Sequence, residues 1–333
     1  MRRIEYIDAL RGFTMLLVVI GHIALFSFGV SPFGVDVTHA FRMPLFFFIS
    51  GFIAYTSNRI CDGKSYCRAI LKKCKVQIIP TLIFGLFFTY VVLGYNAEDF
   101  FHSESKLGYW FTIALLQMFI VYYTIHILFR KSQRALLIAL TITAISMWVL
   151  KKIFEGNEVF VVLNNSISLW LAMMYFPFFV FGVIAAMHKE KFHKLLDSKY
   201  FIALTILSFI ALYILKNNAT PITSVINIII GFPGLIIVYA FFRRYSETFS
   251  QENVLGRSLQ YIGRRTLDIY LLHYFFLPDL KIYSHFAETT NTVVGIFICF
   301  VIAVMVISMC LLVSSILRMS PIMSEYMFGV KQK

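Results

Sequence analysis

Ten stretches of this chain stay apolar for roughly the length that crosses a bilayer: 7–28, 40–57, 76–95, 108–129, 135–154, 166–187, 200–215, 222–242, 261–278 and 292–317. A helix needs about 20 such residues to span the hydrocarbon. The composition agrees. The 333 residues are 59% hydrophobic and 14% charged, with 36 Phe, where soluble domains run near 45–50% apolar and about 25% charged. Disorder, a collagen-like chain and a disulfide scaffold are excluded by the high apolar content and the low Gly and Cys counts. The expected fold is all-α, a polytopic transmembrane helical bundle of about ten spans. Residues 1–320 form one integral membrane domain and 321–333 a short cytoplasmic tail. The N-terminus starts like a signal peptide, but Asp8 and Arg11 interrupt it and no small-residue cleavage pattern follows Gly21; it reads as a retained first span.

Charge sets the orientation. The formal net charge is +13. Most Lys and Arg fall in 58–75, 130–134, 188–199 and 243–265, whereas the alternate loops keep only Lys106, Lys151, Lys152, Lys216 and Lys281. Cytoplasmic loops collect such residues, so both termini are expected in the cytoplasm and the basic excess does not call for nucleic acid. The outer loops are acidic. Cys61, Cys67, Cys74, Cys299 and Cys310 have no metal spacing and read as free thiols; no metal is expected.

Ionisable groups at membrane depth are costly and usually face a bundle interior or a wet cavity. Here they are Asp8, Arg11, His22, Arg42, Asp268 and His273, with Gln117 and Asn227 adding neutral polarity. Arg11 and His22 are eleven residues apart, so about 100° per residue returns both to one helix face, about 16 Å apart along the axis. Asp8 lies one turn before Arg11 and can pair with it. Thr266, Tyr270 and His273 follow an i, i+4, i+7 pattern that should face inward. Arg42 and Pro44 open the second span, where Pro is tolerated in the first turn, and Ser50-Gly51 permits close helix approach. The basic loop with Arg68, Lys72, Lys73 and Lys75 fits a topology signal, attraction to anionic lipid, or docking of a phosphorylated ligand.

Taken together, these segments resemble the acyltransferase-3 family of integral membrane acyltransferases. The resemblance rests on Asp8-Ala9-Leu10-Arg11-Gly12 followed by His22, on Phe41-Arg42-Met43-Pro44-Leu45-Phe46-Phe47-Phe48-Ile49-Ser50-Gly51-Phe52, on a basic stretch ending in Pro80, and on Gly263 to His273. It spans residues 1 to about 317. It departs at Arg42, where the family often has His, and at Gln77, where it often has Arg. It implies ten spans in the plasma (inner) membrane. It also implies transfer of an acyl group, commonly acetyl, from a cytoplasmic acyl-CoA such as acetyl-CoA to cell-surface glycans or their lipid-linked precursors. The Arg11–His22 pair is then the functional signature. Some relatives append an extracytoplasmic esterase-like domain; none is expected here.

On that basis the phosphates of acyl-CoA would meet Arg68, Lys72, Lys73 and either Arg264 or Arg265, with Arg11 at the mouth. His22 would act as general base or brief acyl carrier, with His273, Tyr270 or Asp36 as orienting partner, His273 ranked above Asp36. Arg42, Asp36 and Ser50 are the acceptor-side residues. Acidic outer loops favour a neutral sugar. Two other classes fit parts of the pattern: a secondary transporter or glycan flippase, suggested by the intramembrane charges and the Gly231-Phe232-Pro233-Gly234 break, and a structural subunit of an envelope complex.

Overall fold

A computed structural model describes residues 4–29, 35–57, 60–218 and 223–329. The described residues form helices and turns without strands, an all-α polytopic bundle. The chain divides into two compact units, Met1–Ile49 with His188–Leu312 and Ser50–Met187 with Val313–Lys333.

The first unit opens with α1 (Glu5–His22), which passes at His22 into a π-helical turn, Ile23–Ser27. Next comes α2 (Val35–Thr56). It begins about five residues earlier than the apolar pattern suggests, so Pro44 lies inside the helix and removes the bond to the Ala40 carbonyl. The second unit takes over within α2. Its first helix, α3 (Gly63–Lys73), starts on a capping box between Asp62 and Ser65 and buries none of its residues. Then follow α4 (Ile79–Phe87), α5 (Ala97–His102), α6 (Trp110–Phe129), α7 (Gln133–Ile153), α8 (Glu158–Ile167) and α9 (Leu169–Met187). Ser132 and Asn157 cap α7 and α8 through their side chains, each accepting from orphan N–H groups of the first turn.

The core of the second unit is aromatic and tightly fitted. Phe119 and Tyr122 of α6 pack on Phe179 of α9. Gly51 lies directly under the Phe179 carbonyl, a close helix approach of the kind expected there. At the α5–α6 turn, fully buried Lys106 donates to the carbonyls of Phe101 (2.7 Å), Ser103 (3.0 Å) and Asn165.

The chain then returns to the first unit with α10 (Lys189–Asp197), α11 (Lys199–Asn217), α12 (Thr223–Ile229), α13 (Gly231–Arg244), α14 (Val254–Arg264), α15 (Thr266–Leu272), α16 (Ser284–Thr289) and α17 (Thr292–Leu317), whose residues from Val313 on belong to the second unit. The break anticipated at Gly231–Gly234 lies at the start of α13, where Gly234 makes room for Phe41 and Phe209. Last, α18 (Pro321–Phe328), in the segment expected to be a tail, packs on α4: Phe328 meets Phe84, the Arg318 guanidinium covers the Phe328 ring at 4.5 Å, and Glu325 pairs with Lys75.

Nine helices among the described residues are long and apolar enough to cross a bilayer. The expected span 261–278 is not one of them. The α14 helix ends at Arg265, whose backbone leaves helical geometry (φ −111°, ψ 18°) and whose N–H turns to the Ile262 carbonyl. After α15 the chain tightens into a 3₁₀ turn, His273–Phe276. An apolar count cannot register this break, because it lies in backbone geometry at two polar residues.

Candidate active site

The site lies within the first unit and starts from two glycines. Gly12 of α1 and Gly263 of α14 stand opposite one another. A Cβ on Gly12 would collide with the Leu259 carbonyl and approach the Gly263 N to 3.0 Å, and a Cβ on Gly263 would collide with the Asp8 carbonyl. Small residues let helix backbones approach this closely. The contact fixes how far α14 and α15 are advanced along α1, and two polar pairs follow from it.

Near the start of α1, Arg11 Nη2 donates to Thr266 Oγ1 at 3.0 Å, and its Nη1 lies 3.7 Å from Asp8. At the far end, His22 Nδ1 lies 2.8 Å from His273 Nε2. Eleven residues of α1 thus run beside seven of the α15 segment. The axial mismatch of about 6 Å is taken up by the long Arg11 side chain.

The hydrogen positions follow from the acceptors. His273 Nδ1 faces the carbonyl oxygens of Ile269 at 3.0 Å and Tyr270 at 2.9 Å. Carbonyls only accept, so this nitrogen carries the hydrogen and donates. A neutral imidazole then has its other nitrogen, Nε2, as an acceptor. His22 Nδ1 therefore donates to His273, which leaves the lone pair on His22 Nε2. His22 Nε2 makes no hydrogen bond to the described residues. His273 is fully buried and His22 half-buried.

Aromatic rings hold the pair. Tyr274 stacks on His22 at 5.2 Å and lies tilted against His273 at 4.0 Å between centroids, and Phe26 meets His22 edge-on at 5.4 Å. The π-helical turn begins immediately after His22; such turns recur at functional sites. Arg42 approaches from α2. It is buried, and its guanidinium fills the space a Cβ on Gly21 would need, beside the residue preceding His22.

The other expected site residues divide as follows. Tyr270 is buried and gives its carbonyl to His273. Arg265 is paired with buried Asp268 at 3.0 Å, and Arg264 is exposed. Arg68, Lys72, Lys73 and Ser50 belong to the second unit, where Arg68 and Lys72 are exposed and the Lys73 ammonium sits 3.2 Å over the Phe119 ring. The Asp36 side chain lies outside the described residues. Sequence reasoning missed Tyr274, the Gly12–Gly263 contact and the Gly21–Arg42 fit. A Gly one residue from each end of the Arg11–His22 interval was the available signal.

A membrane helical bundle with a half-buried, hydrogen-bonded imidazole open at one nitrogen defines a class, that of integral membrane proteins able to move a proton at a fixed point within the bundle. The family is more specific. A model described as an acyltransferase domain, Acyl_transf_3, matches residues 4–313, and the chain belongs to that family of membrane acyltransferases. No curated protein and no solved structure matches the chain.

Proposed function

We propose that the protein transfers an acyl group, acetyl being the common case in the family, from cytoplasmic acyl-CoA to a hydroxyl of a cell-surface or lipid-linked glycan at the inner membrane. His22 Nε2 takes the proton of the acceptor hydroxyl as its oxygen attacks the thioester carbonyl. His273 Nε2 accepts a hydrogen bond from Nδ1 of the imidazolium that forms, keeping the ring oriented. The C–S bond then breaks, and the departing CoA sulfur receives the proton from His22 Nε2. The products are an O-acyl ester and free CoA. Arg42, whose guanidinium lies against Gly21, supplies the cation that stabilises the oxyanion of the tetrahedral intermediate in this reading, rather than binding the acceptor. Arg11, held by Asp8 and Thr266, guards the opposite end of the same helix face and suits the entering anionic donor.

The observation that carries this reading is the 2.8 Å His22–His273 contact with its forced tautomer. It gives His22 a basic nitrogen in a neutral ring, as general base catalysis requires. Membranes containing the protein, supplied with radiolabelled acetyl-CoA, should place label covalently in a glycan fraction. A transporter or flippase would move its cargo unchanged. Recovery of the label only as acetyl-CoA or free acetate, with succinyl-CoA equally inert, would reject acyl transfer.

A further inference from the structure

Apart from the His22 pair, α1, α10 and α13 of the first unit line an open polar groove of about 450 Å³. The chemistry above makes no use of it. Three cations line it, Lys189 from α10 and Arg243 and Arg244 from the end of α13, against one carboxylate, Asp197. The carboxylate is already committed. Arg243 Nη2 donates to Asp197 Oδ2 at 3.0 Å while Nη1 pairs with Oδ1. This two-point grip pins the guanidinium in place, with 21% of the Arg243 side chain exposed against 62% for Asp197. Lys189 and Arg244 are exposed and make no ion pair among the described residues. Tyr6 and His193 on its wall belong to a neutral hydrogen-bonded chain: His193 Nε2 lies 3.1 Å from the buried Tyr239 hydroxyl, which lies 3.2 Å from the Tyr6 hydroxyl. The Ser246 side chain completes the rim.

Arginines at the end of a membrane helix are ordinary, both because basic residues favour the cytoplasmic side and because they offset the carbonyl end of the helix. Here Asp197 pins one of them, and Lys189 and Arg244 line the same open groove with the Tyr6 hydroxyl and the His193 ring beside them. Such a constellation suits a compact polyvalent oxyanion, because charge-assisted bonds from Arg and Lys to phosphate oxygens are short and strong and the Arg fork fits them two at a time.

We propose that this groove binds a phosphate group, either of a soluble phosphorylated compound or of an anionic lipid headgroup. The inference does not rest on the acyl-transfer reading. The ligand would touch Tyr6 on α1, five residues before Arg11, and so would engage the helix that carries His22.

The test uses the full-length protein purified in neutral detergent, with inorganic pyrophosphate as the soluble probe. Melting temperature is followed during titration at constant ionic strength. Nanodiscs of phosphatidylcholine with and without phosphatidic acid provide the lipid arm. The Lys189→Gln/Arg244→Gln double variant changes exposed side chains, so its own melting curve reports whether it folds. A Lys131→Gln/Arg134→Gln variant in the second unit controls for bulk charge. A saturable rise with pyrophosphate, weakened at least tenfold in the first variant and kept in the control, supports the site with a soluble ligand. A rise confined to phosphatidic acid and lost in the first variant supports it with a lipid headgroup. No rise in either arm, the same response in wild type and first variant, or equal loss in the control would overturn it.

Discussion

Gly12 and Gly263 meet backbone to backbone, and the register of that contact brings His273 to 2.8 Å from His22. The neighbours a Cβ would strike at these positions are carbonyls of Leu259 and Asp8, which cannot swing aside as a side chain can. Gly12→Ala or Gly263→Ala should therefore lower the melting temperature, by an overpacking cost of about 1–3 kcal/mol, and lower transfer further by parting the two imidazoles. Gly63→Ala, where nothing lies within 4 Å, should change neither. Melting curves and transfer rates of the three variants check this.

His273 acts through His22 in this account. His273→Ala should lower kcat by about 100-fold, the low end of a general-base contribution, with the KM for acyl-CoA unchanged. His273→Gln presents a carbonyl oxygen to the His22 Nδ1 hydrogen and should recover part of that loss. Steady-state kinetics of both variants separate positioning from donor binding, because a role in binding would raise KM.

Lys106 is buried with its ammonium on three carbonyls and no carboxylate among the groups it bonds. Burial pushes it down to about 8. Lys106→Met keeps the apolar stem but leaves the carbonyls of Phe101, Ser103 and Asn165 short of a donor. With an unsatisfied buried group costing about 1–3 kcal/mol, the variant should lose roughly 3 kcal/mol. A chemical or thermal melt in detergent measures it.

His193 predicts a feature of the acid stability limb. Burial, reinforced by Arg243 and Lys189 and opposed by Asp197, holds the ring down to about 4 from an ordinary 6.5. Between those values the unfolded chain binds a proton that the folded chain refuses, so stability falls as pH drops from about 6.5 to about 4. His193→Gln removes this loss. Its melting temperature should vary less than that of wild type across the window, while the two run parallel above pH 7.

Much of this arrangement is legible in the residues. Eleven steps of a helix put Arg11 and His22 on one face, and the Thr266, Tyr270, His273 stripe announces the partner element. The helical class follows from the long apolar runs. The rest is illegible for identifiable reasons. The break at Arg265 depends on backbone angles beside a packed glycine, and hydropathy is blind to it. Pro44 inside α2 depends on where the helix begins, and the polar residues before Phe41 mask that start. The groove built by Tyr6, Lys189, His193 and Arg243 draws on three elements far apart in sequence, each of which taken alone reads as an ordinary basic or aromatic helix end.

The central claim is that His22 supplies the base for acyl transfer. The most direct measurement is the rate of labelled acetyl transfer by His22→Ala beside wild type, at matched protein level and matched melting temperature. The account predicts a fall of about 100- to 10,000-fold, the usual contribution of a general base. Transfer by His22→Ala at the wild-type rate would contradict it.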